Sequence, residues 1–174
     1  RSTDNGESWG DETYITDGYN ETALAYTASG SLLAASRSQS ERNVATFSAD
    51  ESGREWRKVA DVTRRNEHPA DLTLLASGHM LLTFGRRVRP FGCGALISDD
   101  GGMTWRTDRE VLLAGDGARN GDLGYPSTVQ LADGTIATAL YYASGSAQSD
   151  DGLQNWGDVS CQLIRYREEL FSAP

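Results

Sequence analysis

The sequence lacks a long hydrophobic run and lacks an excess of positive charge. No apolar stretch approaches the roughly 18 residues of a membrane-spanning helix, so no membrane span is expected. The formal net charge of −9 argues against nucleic acid or an anionic membrane as a partner, because both require a basic surface. At 174 residues, 38% of them hydrophobic, the chain is long enough to bury the core of about one domain.

Cysteine and cofactor motifs are scarce as well. Cys93 and Cys161 are the only cysteines, and their separation does not fit a metal site. They leave two alternatives open, a disulfide or two buried thiols. The sequence contains no phosphate-binding glycine loop and no evident Ser-His-Asp arrangement, so neither a metal nor another cofactor is expected. Because the chain begins inside a repeat and without methionine, we expect further sequence upstream.

Glycine, by contrast, is abundant and recurs in a repeated motif. RSTDNGESW and SDDGGMTW share the pattern S-x-D-x-G-x-x-W, and SADESGREW is the same pattern stretched by one residue. The three tryptophans, Trp9, Trp56 and Trp105, lie 47 and 49 residues apart. Asp and Ser can bond turn amides, Gly permits a positive φ, and Trp can pack between layers. We interpret the motif as a folding element and not as an active site.

A second repeated element lies between these motifs. YTASGSLLAAS (26–36), LLASGHMLLTF (74–84) and QLADGTIATAL (130–140) each indicate strand, tight glycine turn and strand. Adding the strands on either side of the motif gives four antiparallel strands every 45–50 residues or so, which is typical of β-propeller blades. The sequence therefore predicts an all-β chain with the tail of one blade (1–17), two blades (18–63 and 64–114) and an incomplete last blade (120–170). The motif-like SDDGLQNW (149–156) has leucine in place of its glycine.

These motifs resemble the Asp boxes of the sialidase (neuraminidase) superfamily, whose members are six-bladed β-propellers. ETALAYTASGSLLAASR (21–37) is similar to the sialidase stretch in which a Glu opens one strand of a blade and an Arg closes the next. GYPSTVQLADGTIATALYY (124–142) is similar to the stretch that carries the nucleophilic Tyr, although YPS replaces the more usual Y-S. The resemblance covers nearly the whole chain and implies the C-terminal half of such a propeller.

The resemblance also implies a catalytic pair. Glu21 lies nine residues before Gly30, and Tyr125 lies nine residues before Gly134, so both should open the innermost strand of a blade. Tyr125 matches the nucleophile and Glu21 matches its base. Sialic acid carries a carboxylate on its anomeric carbon, which would repel a carboxylate nucleophile. A tyrosine of pKa about 10 attacks only if a base takes its proton.

The resemblance further implies arginines that hold the substrate carboxylate through bidentate pairs. Arg37 matches the second of the three family arginines. The cluster GRRVRPFG supplies the third, for which Arg89 is preferred because it stands shortly before a box, with Arg86 as the alternative. His68, which opens the same blade, and Asp71 are candidate ligand contacts, although a lone histidine is more often structural. The first arginine and the acid/base Asp belong to the N-terminal blades of the family.

The function implied is an exo-glycosidase that hydrolyses a terminal sialic acid or related acidic sugar from glycoconjugates. A secreted, periplasmic or cell-surface location is expected for such an enzyme. Two alternatives stay open: a non-catalytic carbohydrate- or protein-binding propeller, and a fragment with no activity of its own. Because half a ring would expose two apolar blade flanks, self-association or pairing with N-terminal blades is also expected.

Overall fold

The structure, a computed structural model, describes residues 1–115, 120–143 and 159–172. The regular structure of these residues consists of strands and two short 3-10 helices (Thr107–Arg109 and Glu168–Phe171). The predicted all-β class is confirmed. None of the helices in this part of the chain is long and apolar enough to cross a membrane. The strands are β1 (Tyr19–Tyr26), β2 (Leu32–Ser38), β3 (Val44–Ala49), β4 (Arg57–Asp61), β5 (Glu67–Leu74), β6 (Met80–Arg86), β7 (Gly92–Ser98), β8 (Val111–Ala114), β9 (Leu123–Gln130), β10 (Ile136–Ala143) and β11 (Val159–Tyr166).

The strands form three antiparallel sheets, as predicted for propeller blades. Their orders are β1-β2-β3-β4, β5-β6-β7-β8 and β9-β10-β11. Spatial order equals chain order, so each sheet is an up-and-down meander like those of propeller blades. The third sheet has three strands among the described residues. The motif-like segment 149–156 lies outside the described residues.

The first strand of each sheet lies innermost, because β5 contacts both β1 and β9. The apolar faces of the first and second sheets meet in one buried cluster, and those of the second and third sheets meet in another. The middle strands of the second sheet lie between these two clusters and are buried along most of their length. β2 and β3 are buried as well, because the outer face of the first sheet is covered by a smaller cluster that includes Ile15, Tyr19 and Trp56. The larger cluster includes Leu33, Ala35, Val44, Leu72, Met80, Leu82, Phe84 and Leu96.

The Asp boxes are folding elements, as interpreted from the sequence. In the third box the Ser98 hydroxyl accepts a hydrogen bond from the Gly102 amide at 2.8 Å. The Asp100 carboxylate accepts one from the Thr104 amide, also at 2.8 Å. The tryptophan of the first box does not fit the predicted packing between layers. Trp9 is 77% exposed, because it precedes the first sheet and no further sheet of the described residues packs against it.

The two cysteines form no disulfide. Cys93 is buried on β7, but Cys161 is exposed on β11. The disulfide alternative is therefore wrong, and the alternative of two buried thiols holds for Cys93 alone.

Backbone packs directly on backbone where the second and third sheets meet. A Cβ atom at Gly85 would lie 2.9 Å from the Cα of Gly124 and 2.9 Å from the carbonyl oxygen of His68. Real Cβ atoms do not approach backbone atoms so closely, so only glycine allows this contact. Gly85, on β6, thus sets how near β9 comes to the second sheet.

We expect Gly85→Ala to lower the free energy of unfolding by about 1–3 kcal/mol, because the added methyl group must separate the two sheets. Urea unfolding followed by tryptophan fluorescence measures the change. Gly10→Ala is the matched control, since a Cβ at Gly10 meets no atom within 4 Å. Equal urea midpoints for the two variants would contradict the proposed close contact.

Candidate active site

A bulge opens the innermost strand of every sheet. In β1 the register moves from Tyr19–Ser38 to Thr22–Ser36, so two residues oppose Arg37 alone. The same two-against-one arrangement occurs at the start of β5 and of β9. A bulge turns its side chains out of the regular alternation. The residues turned out in this way are Asn20 and Glu21, His68 and Pro69, and Tyr125 and Pro126.

Tyr125 stands on the third of these bulges in a strained conformation. Its φ is +49°, in the left-handed region that non-glycine residues seldom adopt. It follows Gly124, which has φ +122°, and precedes a proline. The side chain is 50% exposed, and its hydroxyl donates a hydrogen bond to Oε1 of Glu21, 104 residues away in sequence. The structure therefore brings together the two residues predicted as nucleophile and base.

Glu21 is held from its other side by Arg37. Nη1 of Arg37 lies 2.6 Å from Oε2 of Glu21, and both side chains are about three-quarters buried. Burial alone would raise the pKa of Glu21. The hydrogen bonds from Tyr125 and Arg37, with the charges of Arg37 and Arg87, outweigh burial and hold that pKa below its ordinary value. Glu21 is therefore ionised in the resting site.

Arg87 is the arginine of the GRRVRPFG cluster that faces this pair. Its guanidinium carbon lies 5.7 Å from the centroid of the Tyr125 ring, within range of a cation–π interaction. Its Nε and Nη2 are buried, as is Nε of Arg37, and none of the three bonds to another group of the described residues. Unpaired buried donors are costly. Two cations with free donors beside one carboxylate make a site suited to an anion.

The phenol of Tyr125 keeps its proton in this arrangement. Its pKa is raised first by the hydrogen bond to Glu21, then by burial and by the negative charge of Glu21, while Arg87 and Arg37 act in the opposite direction. The neighbouring ring of Tyr141 stacks on Tyr125 with centroids 6.1 Å apart. Burial, together with a 2.6 Å hydrogen bond to Asp122, raises the pKa of Tyr141 to about 12.

The other two predicted arginines lie elsewhere. Nε of Arg86 lies 3.3 Å from Oε1 of Glu67 and 3.3 Å from Oε1 of Glu110, so Arg86 belongs to an ion-pair network with these two residues. Arg89 places its guanidinium 4.9 Å from the ring centroid of Phe91. Neither contacts Tyr125 or Glu21, so the structure does not bring the preferred Arg89 or the alternative Arg86 to the catalytic pair.

Asp71, predicted as a ligand contact, is engaged by the neighbouring strand. Its Oδ2 accepts a hydrogen bond of 2.7 Å from the Thr128 amide, which joins β5 to β9. Burial raises the pKa of Asp71, and the hydrogen bonds from Thr128 and Leu72 oppose it.

His68 is fully buried beside the arginines, and neither ring nitrogen bonds to a described residue. Burial, together with the charges of Arg37, Arg87 and Arg42, lowers its pKa to about 4, against a small opposite effect of Glu21. The imidazole is therefore neutral at neutral pH.

Two residues of this site were missed by the sequence analysis. Tyr141 follows its turn glycine by seven residues, as Arg37 does in the first sheet, so the repeat itself could have identified it. Arg87 could not be found in this way. Gly85 occupies the equivalent place in the second sheet, and the arginine that reaches Tyr125 comes two residues later.

One family model matches residues 1–138 of the chain, and its description is a BNR repeat-like domain. A comparison with curated proteins gives no match. Among solved structures the fold is similar to that of an unknown-function protein from Dyadobacter fermentans DSM 18053. Its TM-score is 0.67 at 24% identity, over 95% of this chain and 44% of that one.

Two carbohydrate-active proteins share the fold. The Hadza microbial sialidase Hz136 has a TM-score of 0.59 at 20% identity, over 94% of this chain and 31% of its own. An ulvan lyase described as a new family of polysaccharide lyase has a TM-score of 0.54 at 13% identity, over 77% of this chain and 34% of its own. The chain thus spans less than half the length of each of these three structures.

The low pKa of His68 predicts a loss of stability in acid. The folded state binds this proton only near pH 4, whereas the unfolded state binds it near pH 6.5. The contribution is therefore complete above pH 6.5 and is lost as the pH falls to 4, by about 3 kcal/mol at most. Urea unfolding from pH 7 to pH 4 should show this fall in the wild type and a clearly smaller one in His68→Gln. His79→Gln, which changes the only other histidine, should retain it; an equally steep fall in His68→Gln would contradict the assignment.

Proposed function

The chain belongs to the BNR repeat-like domain family, and from this membership and the site we propose that it acts as an exo-glycosidase of the sialidase type. Its substrate would be a terminal sialic acid or a related acidic sugar on a glycoconjugate. The observation that carries the proposal is the contact between the Tyr125 hydroxyl and Glu21, with Arg37 on the far side of Glu21. Tyrosine, a base and paired arginines are the groups that hydrolysis of such a sugar requires.

Arg37 and Arg87 would hold the carboxylate of the sugar. Three of their nitrogen atoms are buried and lack a partner among the described residues, and a carboxylate offers acceptors in the planar geometry that guanidinium prefers. In this proposal Arg87 takes the place for which the sequence favoured Arg89. Because Arg87 lies beside the Tyr125 ring, a sugar carboxylate held by Arg87 would bring the anomeric carbon next to it close to Tyr125.

The reaction would proceed by double displacement. The phenol oxygen of Tyr125 forms a bond to the anomeric carbon, its proton passes to Glu21, and the bond from that carbon to the leaving oxygen breaks. Water then attacks the glycosyl-tyrosine and gives a proton to the group that protonated the leaving oxygen, while the bond from the phenol oxygen to the anomeric carbon breaks and Glu21 returns its proton to that oxygen. The acid that protonates the leaving oxygen is expected on the blades that the resemblance places before residue 1.

We expect Tyr125→Phe to abolish release of a fluorescent leaving group from an α-linked sialoside, because no oxygen remains to attack the anomeric carbon. Tyr14→Phe is the matched control, since Tyr14 is an exposed tyrosine at 68% whose hydroxyl also donates a hydrogen bond to a carboxylate, that of Asp17. Turnover that survives Tyr125→Phe would contradict the proposal. Sialoside binding without turnover in the wild type would instead favour the non-catalytic carbohydrate-binding alternative.

We further propose that two copies of the chain, when it is not joined to N-terminal blades, associate through their open blade faces. Leu24 and Tyr26 on β1 alternate with the alanines that pack against the second sheet, so they point away from it. At the other end Leu163 on β11 is 65% exposed and alternates with the inward-facing Ile164. The contacts between sheets within the chain use the same kind of apolar face, and two copies would complete a ring of six blades with twofold symmetry.

Light scattering should therefore give twice the mass of one chain at micromolar concentration. Leu163→Asp is expected to return the chain to a monomer, because it buries a charge in the interface. Leu112→Asp, which alters a partly exposed leucine on the outer strand of the middle sheet, should leave the dimer intact. A wild-type monomer at high concentration would contradict the pairing.

A further inference from the structure

The charges around Glu21 connect anion binding to the strength of the base. We propose that a bound anionic ligand pairs with Arg37 and Arg87 and thereby weakens their stabilisation of the Glu21 carboxylate. Glu21 then becomes an effective base for Tyr125 only in the loaded site. The inference rests on the proposed function and deepens it, because it explains how the charge of the substrate would be sensed. It requires no residue beyond those already in contact.

Among the described residues, Glu21 is the carboxylate that bonds to Arg37 and Tyr125 in the empty site. Arg37 bonds to Glu21 at 2.6 Å, Arg87 adds a second positive charge, and the buried His68 is neutral at neutral pH. The remaining contact is the hydrogen bond donated by Tyr125. Two cations therefore stabilise one anion, which keeps Glu21 ionised and a poor acceptor for the phenol proton.

The same two arginines have unused donors. Nε of Arg37 and Nε and Nη2 of Arg87 are buried without a partner among the described residues. A ligand reaches these guanidinium groups at their exposed edges, because both arginines are only partly buried. A ligand carboxylate that accepts hydrogen bonds there brings one negative charge, which balances the net charge of the cluster. It also lies close enough to Glu21 to disfavour a second carboxylate ion, as neighbouring acids do. The affinity of Glu21 for a proton then rises.

This rise helps the reaction because of what happens to the phenol oxygen. As Tyr125 loses its proton, its oxygen bonds to carbon, so the phenol does not have to survive as a free phenolate. The net change within the pair is that Glu21 gains a proton, and a ligand that raises the proton affinity of Glu21 favours this step. A neutral sugar would leave the charges of both arginines acting on Glu21, so the proton affinity of Glu21 would stay low. Selection for acidic sugars would therefore act on the rate of the chemical step as well as on binding.

Nuclear magnetic resonance of the isolated chain tests the inference without turnover. The side-chain carboxyl carbon of glutamate is labelled with ¹³C, the Glu21 signal is assigned by Glu21→Gln, and its pKa is measured by titration. Trifluoroacetate is the probe, because it stays ionised where Glu21 titrates and its ¹⁹F signal reports binding directly. We expect saturating trifluoroacetate to shift the pKa of Glu21 upward, and neutral trifluoroacetamide at the same concentration to leave it unchanged.

The outcomes separate this inference from the proposed function. If trifluoroacetate binds the wild type, loses binding in Arg87→Gln and leaves the pKa of Glu21 unchanged, the coupling is wrong although the anion site stands. If trifluoroacetate does not bind at all, the arginine clamp of the proposed function is wrong as well.

Two variants test the role of Arg37 without any ligand. Arg37→Gln should raise the pKa of Glu21 in the empty site, because it removes the closest positive charge. Arg54→Gln is the matched control, since Arg54 also pairs with a carboxylate, Asp11, at 2.8 Å, but contacts none of the site residues. An unchanged Glu21 pKa in Arg37→Gln would contradict the inference.

Discussion

The close approach of the innermost strands is the constraint on which the rest of this structure depends. At Gly85 and Gly124 the second and third sheets touch through backbone atoms, and β5 packs against both β1 and β9. A side chain at this point would move the sheets apart. Because the strands are so near, Glu21 and Tyr125 can share a hydrogen bond although 104 residues separate them in sequence. The same approach places the arginines on either side of that bond.

The electrostatics of the site follow from this crowding. Five ionisable groups, namely Arg37, Arg87, Glu21, Tyr125 and His68, lie close enough together for their charges to affect one another. The arginines keep Glu21 ionised, Glu21 keeps the proton on Tyr125, and burial beside the arginines keeps His68 neutral. Any molecule that enters the site and binds to one of these groups changes the proton affinity of the others.

Much of the fold could be predicted from the sequence, because the repeat is strong. The Asp boxes and the glycine turns recur at nearly constant intervals, and each marks the same place in a meander of antiparallel strands. Glu21, Tyr125 and Arg37 were located by the family resemblance together with their spacing from those turns, and the structure brings all three together. Counting failed at the arginine cluster. There the strand has ended, the chain follows its own path, and three nearby arginines point to three different partners: Glu67, Tyr125 and Phe91.

The bulges that open the inner strands have a consequence for how such a protein can change. Each bulge frees its side chains from the alternation that builds the core, and none of Glu21, His68 and Tyr125 belongs to a buried apolar cluster between the sheets. One bulge carries Glu21, another His68 and the third Tyr125, on nearly the same backbone. Substitutions at one bulge can thus change the chemistry of the central site without altering the other two blades. A lineage could alter its substrate at these few positions while its scaffold stayed the same.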